Sequence, residues 1–529
     1  MELKNRDEIK VEDTWNTGDI YKTHDDFIKD IDKVKDINKK IVSLKGSITK
    51  DSNTLEKYFK LEEELSITVT KLYNYAYANY DVDMNSNEAT SDIQLLTQTM
   101  EKVSVDESFV DNEIIDAGEE NVLSLLTNDY LKDHTYNLKN LFRKQKHILS
   151  AHDEQLISKL EPAFTDNNDA MSLLKDNDLK FPIITNDKGE KEELTLSNYI
   201  TFITSKNREV RKKAFYAREE TLSQYKDVFT NLIYNELKAN NALSKLRGYK
   251  DNLESALFGD NLDESIFYNL IKSVNNNLSP LHKYHKIRKE LLKLDDYCSY
   301  DLGVSINEKE DNEFPFEKGK QLVLKATSIL GEEYTKNITK AFDERWIDIY
   351  SSRGKTSGGY MRGCYSVHPY VLLNYQNKFN DVSTLAHELG HAMHSYYSEE
   401  NNKVYNASYR IFVAEVASTT NEILLANYVL NNTDDIDLKL EILNNLIDTI
   451  DGTIYRQTMF AEFEDFMYKT VEKEKPFTTE VLGDKYLELL KKYNGKEVNT
   501  LDISKDSWAR VDHFYYGYYV YKYATSMAA

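Results

Sequence analysis

Residues that interrupt helices are scarce in this chain. Its 529 residues include only 18 glycines and 6 prolines. Because proline removes a helix hydrogen bond and glycine weakens a helix interior, so few of them in so long a chain favour long helices. Between residues 25 and 160, apolar side chains such as Phe27, Ile31 and Val34 recur three and four positions apart, which is typical of helices with one buried face. The sequence therefore predicts a mainly α fold.

A β-hairpin is predicted between two helical regions. Residues 181–185 have the composition of a strand, residues 186–189 that of a turn, and residues 194–196 that of the returning strand. We take the hairpin as the end of an N-terminal helical region, residues 1–198, which is followed by a second domain, residues 199–529.

A small β element is also predicted ahead of the most informative motif. Residues 353–360 form a glycine-rich loop, and residues 371–375, VLLNY, read as a short strand. From there to residue 529 the pattern predicts mostly helix, including the tyrosine-rich segment 508–523, with a break near Pro476.

The composition disfavours several function classes. The 89 acidic and 67 basic side chains give a net charge of −22, and a field of this sign repels nucleic acid and anionic lipid. The N-terminus lacks the apolar core of a secretion signal, and no run of 18 apolar residues occurs, so neither export nor a membrane span is expected. Two cysteines in so long a chain do not form a disulfide framework, which favours a cytoplasmic location.

The motif His387-Glu388-Leu389-Gly390-His391 has the H-E-x-x-H pattern. On a helix, positions i and i+4 lie on one face, roughly 5–6 Å apart at Cβ. Two imidazoles can therefore bind one Zn²⁺, and Glu388 lies beside them to accept a proton from water. A chance match of this short motif is the competing explanation.

A third ligand is needed to complete such a site. The longer H-E-x-x-H-x-x-G-x-x-H pattern fails because His394 stands where it requires glycine. Glu415, 24 residues after His391, begins a helical pattern and is the candidate, although a solvated helix glutamate explains it equally well. Glu422 lies two turns further on the same face and could orient a ligand.

The segment 508–523 is unusually rich in tyrosine. Most of these rings are interpreted as an aromatic core. Because each buried hydroxyl needs a partner, however, so many phenols also suit a wet cleft, where Tyr and His side chains donate to a developing oxyanion.

Several long stretches resemble one known family. They are residues 353–360, 374–376, 384–397, 412–422 and 513–524, together with residues 15–21 near the start. In these stretches, and nearly from end to end, the chain is similar to oligoendopeptidase F of the thimet oligopeptidase superfamily of zinc metallopeptidases.

The resemblance implies a large multi-helix metallopeptidase fold with a deep internal channel, a zinc ion at its floor, and short peptides as substrates. One Zn²⁺ per chain would be bound by His387, His391 and Glu415, with Glu388 as the general base. Members of the family continue with further C-terminal helices, which this sequence is expected to lack.

The resemblance also implies residues that bind the substrate. His513, with Tyr515, Tyr516 and Tyr518, is similar to the group that stabilises the transition state. Tyr360 and the 371–375 strand, which includes Asn374 and Tyr375, resemble the stretch whose edge pairs with the peptide backbone.

We therefore predict a zinc-dependent endopeptidase that hydrolyses short unstructured peptides, without nucleic acid or membrane partners and of undetermined oligomeric state. One alternative is a dipeptidyl carboxypeptidase-type exopeptidase, in which Arg353, Arg362 or Arg510 would hold the terminal carboxylate. The other is a zinc-binding helical scaffold whose catalysis is impaired by the short C-terminus.

Overall fold

The computed structural model describes residues 4–160, 162–196, 198–306 and 312–529, and helices dominate it as predicted. The chain forms two compact units. Unit 1 comprises Met1–Lys146 and Asp311–Leu443, and unit 2 comprises His147–Glu310 and Asn444–Ala529. The sequence-based division at residue 198 stays a prediction.

The helices and strands fall into four successive groups along the chain. The first segment of unit 1 contains α1 (His24–Val42), α2 (Ser52–Val82), α3 (Asn87–Glu107), α4 (Val110–Asp116), α5 (Glu119–Ser124), α6 (Asp129–Lys132) and α7 (Thr135–Lys144). The first segment of unit 2 contains α8 (Ala151–Leu160), α9 (Pro162–Leu173), β1 (Ile183–Thr185), β2 (Lys191–Glu193), α10 (Tyr199–Ile203), α11 (Arg208–Gln224), α12 (Lys226–Leu246), α13 (Asn252–Phe258), α14 (Glu264–Asn276) and α15 (Ser279–Leu291).

The remaining elements follow in the same order. The second segment of unit 1 contains α16 (Phe316–Thr327), α17 (Glu332–Asp343), β3 (Ile347–Asp348), β4 (Tyr360–Arg362), β5 (Tyr370–Leu372), α18 (Phe379–Asn401), α19 (Val404–Ala407), α20 (Ile411–Asn432) and the start of α21 (Ile436–Ile450). The second segment of unit 2 contains α22 (Arg456–Glu472), α23 (Thr479–Asn494) and α24 (Tyr521–Ala528). The break predicted near Pro476 is confirmed, because it separates α22 from α23.

The hairpin is confirmed, but its returning strand is not where it was predicted. β1 pairs with Lys191–Glu193 instead of residues 194–196. The turn explains the difference, because Asn186 donates its N–H to the carbonyl of Glu190. The return strand must then begin directly after that residue. All three residues of β2 are exposed, so the strand lacks the apolar pattern that identifies buried strands.

A three-stranded sheet precedes α18 in unit 1. Its order is β3-β5-β4, with β5 parallel to β3 and antiparallel to β4. Tyr370 and Leu372 pack into the core formed by the N-terminal helices, and Val371 packs into the core that contains α18. The expectation that the 371–375 strand offers a free edge to a peptide is wrong, because β5 is paired on both sides.

The tyrosine-rich segment is not one continuous helix, contrary to the prediction. Two 3₁₀-helices, Asp502–Arg510 and Asp512–Tyr515, come first. Gly517 and Tyr518 then adopt positive φ angles of 61° and 52°, which interrupt any right-handed helix. Only the stretch from Tyr521 onwards is α-helical.

Two further sequence-based expectations concern cysteines and membrane spans. Cys298 and Cys364 are both buried and free. In the part of the chain that the structure describes, no helix has the length and apolar character needed to cross a bilayer.

Candidate metal centre

Helix α18 presents one apolar face and one face with the two motif histidines. At its start, Asp381 accepts hydrogen bonds from the backbone N–H groups of Gln376 and Lys378, which caps the helix. Leu385, Leu389 and other apolar residues at helical spacing are fully buried. This burial fixes the rotation of α18 and directs His387 and His391 together to the opposite side.

The three predicted ligands converge. Nε2 of His387 lies 3.1 Å from Nε2 of His391. Oε2 of Glu415, on α20, lies 3.3 Å from the first of these atoms and 3.4 Å from the second. Ligand atoms placed tetrahedrally at 2.0–2.1 Å from a zinc ion would be separated by about 3.3–3.4 Å. The donor set therefore has the chemistry and the spacing of three zinc ligands.

Neighbouring side chains hold the ligands in place. Glu422 accepts a hydrogen bond at 2.5 Å from Nδ1 of His387, which leaves Nε2 of that ring free to act as a ligand. The hydroxyl of Ser383 donates to the other oxygen of Glu422 at 3.2 Å. The hydroxyl of Ser418 donates to Oε2 of Glu415 at 2.9 Å.

Gly390 allows α18 and α20 to approach closely. A Cβ atom at this position would lie 2.6 Å from the carbonyl oxygen of Ala417 and 2.6 Å from Cα of Ser418. Both are backbone atoms, so no side-chain rotation can relieve the contact. Glycine inside the motif therefore brings the helix that carries Glu415 within reach of the two histidines.

The histidines and carboxylates of the cluster shift one another's pKa values. Burial lowers the pKa of His387, but its hydrogen bonds to Glu415 and Glu422 outweigh this effect and raise the pKa to about 10. Burial raises the pKa of Glu415, but hydrogen bonds with the two histidines lower it well below its usual range. Glu415 and His387 therefore stabilise each other's charged forms.

Comparison with known proteins decides the family. Residues 201–529 match the model of peptidase family M3, and residues 113–181 match the model described as Oligopeptidase F. The chain belongs to peptidase family M3. It is therefore a metalloendopeptidase.

Relatives of this M3 peptidase match along most of their length. Oligopeptidase PepF of Bacillus subtilis is 34% identical over 100% of this chain and 79% of its own. Group B oligopeptidase PepB of Streptococcus agalactiae is 34% identical over 92% of this chain and 80% of its own. The structure of oligoendopeptidase-F from Enterococcus faecium superposes with a TM-score of 0.72 at 27% identity, over 95% of this chain and 86% of that one.

Glu388 is buried next to the candidate metal ligands in the motif. Its side chain is 6% exposed, and burial raises its pKa, an effect that His387 and His391 oppose. A Cβ atom on Gly359, directly before β4, would lie 3.7 Å from Oε1 of Glu388. The start of strand β4 therefore passes beside this carboxylate.

The three residues predicted to bind substrate make contacts within unit 1. The amide of Asn374 donates to the carbonyls of Thr356 and Gly358 at 3.0 and 2.8 Å, which fixes the glycine-rich loop. The hydroxyl of Tyr360 donates to Asp81. Tyr375 is buried, and its hydroxyl donates to the carbonyl of Phe314 at 2.8 Å. Their contact with a peptide stays a prediction.

His394, which breaks the longer zinc motif, packs against an aromatic ring. Its imidazole stacks on Tyr409 with ring centroids 3.7 Å apart. Burial lowers its pKa, and the neighbouring His391 adds to the effect. It is held by aromatic packing and does not belong to the ligand triangle.

The predicted transition-state group lies in unit 2, where its members differ in exposure. Tyr515 and Tyr518 are buried, Tyr516 is 50% exposed, and His513 is half-buried. Around the His513 ring lie Tyr516 and two half-buried rings that the prediction missed, Tyr519 and Tyr523, each with its centroid 5.6–5.7 Å away. The sequence did not single them out, because aromatic rings occupy nearly every position of this segment.

Replacing Gly390 with alanine should separate the two helices of the metal centre. Because the new methyl group meets backbone atoms of α20, we expect a loss of about 2–3 kcal/mol in the free energy of unfolding and weaker zinc binding. Chemical unfolding and metal titration of G390A would measure both. G452A is the matched control, because a Cβ at Gly452 meets nothing within 4 Å. Equal behaviour of the two variants would contradict the close-approach argument.

Proposed function

We propose that this M3 peptidase is a cytoplasmic, zinc-dependent endopeptidase that hydrolyses short unstructured peptides. The observation that carries the proposal is the triangle formed by His387, His391 and Glu415, whose edges of 3.1–3.4 Å match the spacing of three zinc ligands. Three protein ligands leave a fourth position for water or substrate, as in catalytic rather than structural zinc sites.

Glu388 is proposed as the general base. When bound, zinc would act as a Lewis acid toward the scissile carbonyl and would make a water molecule more acidic. Glu388 accepts the proton of the attacking water and later delivers it to the leaving amine. Its position next to His387 in the motif and its burial beside the cluster support this role.

We propose that the peptide backbone pairs with β4 rather than with β5. Among the described strands of this sheet, β4 is at one end of the order β3-β5-β4. Its start lies beside Glu388, as the 3.7 Å approach at Gly359 indicates. Strand addition at this edge would bind substrates through main-chain hydrogen bonds, with little demand on their side chains.

His513 and tyrosines of the same segment are proposed to donate hydrogen bonds to the oxyanion. Of the predicted tyrosines, Tyr516 is the best candidate because its ring is exposed and adjoins His513. Tyr518 is a weaker one, since its hydroxyl already donates to Asp465 at 3.1 Å and its ring stacks on Tyr468.

Metal removal tests the proposed function. We expect the purified chain to bind one zinc ion, to lose peptide hydrolysis on treatment with a chelator, and to regain it when one equivalent of zinc is restored. Elemental analysis and a quenched-fluorescence peptide assay would measure the two properties on the same sample. Full hydrolysis by verifiably metal-free protein would refute the proposal.

Substrate size gives a second prediction. If the substrate must lie extended along a strand edge, we expect cleavage of a peptide digest but not of the same protein in its folded form. Mass spectrometry of both incubations would report fragment lengths and cut positions. Internal cuts identify an endopeptidase, whereas stepwise release of dipeptides from the C-terminus would favour the exopeptidase alternative. Efficient cleavage of the folded protein would contradict the prediction.

A further inference from the structure

Unit 2 contains a cavity of about 460 Å³ that the proposed hydrolysis does not use. All of its lining residues belong to unit 2, whereas the ligand triangle belongs to unit 1. Its walls combine aromatic side chains, such as Tyr199, Phe215 and Tyr486, with charged groups. This size and mixed character are typical of small-molecule sites.

Three buried polar atoms without hydrogen-bond partners belong to side chains that line this cavity. Nε of Arg510, Oγ of Ser504 and Nδ1 of His285 are buried and have no hydrogen-bond partner among the described residues. The side chains of Ser504 and His285 are each only 4% exposed. Because an unsatisfied buried polar group costs free energy, three of them around one cavity indicate a ligand that pairs with them.

Arg510 differs from the other arginines that line the cavity. Arg218 donates to the carboxylate of Glu219 at 2.9 Å, and Arg288 donates to the hydroxyl of Tyr297 at 3.0 Å. Arg456 lies 3.5 Å from Asp451. Arg510 has no carboxylate partner among the described residues, and burial together with the charges of Arg218 and Arg456 lowers its pKa. Tyr486 and Glu219 oppose this effect, but Nε of Arg510 has no hydrogen-bond partner among the described residues.

The helix that carries Arg510 arranges its polar groups in a row. Asp502–Arg510 is a 3₁₀-helix of nine residues, and 3₁₀-helices longer than three or four residues are uncommon. With three residues per turn, Ser504, Ser507 and Arg510 lie on one face, and all three line the cavity. The unusual backbone thus places Ser504 and Arg510 on one side of the cavity together with Ser507, whose hydroxyl donates to Glu219.

We propose that this cavity binds a small organic oxyanion, a carboxylate or a phosphate monoester with an apolar body, whose charge is held by Arg510 and Ser504. A guanidinium is suited to bidentate pairing with either group. The aromatic walls would receive the apolar part of the ligand. The proposal does not depend on the metal centre or on the proposed peptidase mechanism.

Calorimetric titration of the full chain tests this proposal with three probes. They are phenyl phosphate, N-acetylphenylalanine and the neutral amide of N-acetylphenylalanine. We expect at least one of the two anions to bind with one equivalent and, if the acid binds, the amide to bind more weakly than the acid. The stronger of the two anions identifies the ligand as a phosphate or a carboxylate. Absence of saturable binding by both anions, or binding of the acid with no higher affinity than that of the amide, would overturn the proposal.

Substitution of Arg510 locates the bound anion. R510M is expected to weaken binding by about 10–100-fold, because it removes the charged hydrogen-bond donor. R143Q, a change of equal charge in unit 1, should leave the affinity unchanged. If R510M does not fold, S504A makes a smaller change in the same cavity and should weaken binding by about 3–10-fold. Unchanged affinity in whichever of these two cavity variants folds would place the anion elsewhere and refute the assignment.

Discussion

Replacing Glu388 with glutamine is expected to leave zinc bound and to lower the rate of peptide hydrolysis by about 10²–10⁴-fold. The metal should remain because Glu388 is not part of the triangle formed by His387, His391 and Glu415. Catalysis should fail because an amide of nearly the same shape cannot accept the proton of the attacking water. Measuring zinc content and hydrolysis rate together therefore distinguishes a general-base role of Glu388 from a ligand role.

A second glutamate of α18 supplies the matched control for this experiment. Glu399 lies eleven positions after Glu388 on the same helix, and burial raises its pKa to about 7. E399Q makes the same chemical change in a partly buried carboxyl group of the same helix and should retain hydrolysis. Steady-state kinetics and metal content would be measured on both variants. Hydrolysis by E388Q at the wild-type rate, with zinc bound, would exclude Glu388 as the base.

Much of the fold could be predicted because its signals are local. The helical periodicity of residues such as Phe27, Ile31 and Val34 identified α1, and all three side chains are fully buried. The spacing of the motif histidines likewise placed them on one helix face, where their Nε2 atoms lie 3.1 Å apart. Periodicity of 3.6 is a property of the chain itself and needs no knowledge of distant partners.

Strand pairing and positive φ angles could not be predicted in the same way. The residues of β5 formed a recognisable strand, but its central place depends on β3 and β4, which are separate in the sequence. Tyr518 has a positive φ of 52°, a conformation that is normally expected only of glycine. One hydrogen bond from its N–H to Glu464, at 2.6 Å, supports that backbone. Such long-range support has no local signal.

The candidate site contains both features that have a local sequence signal and features that depend on distant residues. Glu415 could be named as a ligand candidate from its place in a helical pattern, and Glu422 from its position seven residues later. The need for glycine at position 390 could not be predicted from the sequence, because the atoms that it accommodates belong to Ala417 and Ser418 of another helix. Sequence patterns thus identified the candidate ligands, and the structure explains how α18 and α20 come close enough to bring them together.

Comparison of two glutamates on α20 gives the sharpest test of the metal centre. In E415Q, a weaker amide ligand replaces the carboxylate. If the binding free energy of a zinc site with four protein ligands is about 10–16 kcal/mol, each ligand accounts for about 2.5–4 kcal/mol of it. We therefore expect the zinc affinity of E415Q to fall by about 10²–10³-fold. In E422Q the ligands are intact, and only the partner of His387 Nδ1 changes, so the expected loss is about 10–100-fold.

Competition with a chromophoric chelator would measure both affinities without relying on enzymatic activity. The two variants are matched in charge, in chemistry and in their helix, and both carboxylates contact His387. Only the carboxylate of Glu415 also approaches Nε2 of His391, at 3.4 Å. E415Q must therefore show the larger loss of zinc affinity if the cation lies between the two imidazoles. A larger loss in E422Q would instead place the cation on the Nδ1 side of His387 and would refute the ligand triangle.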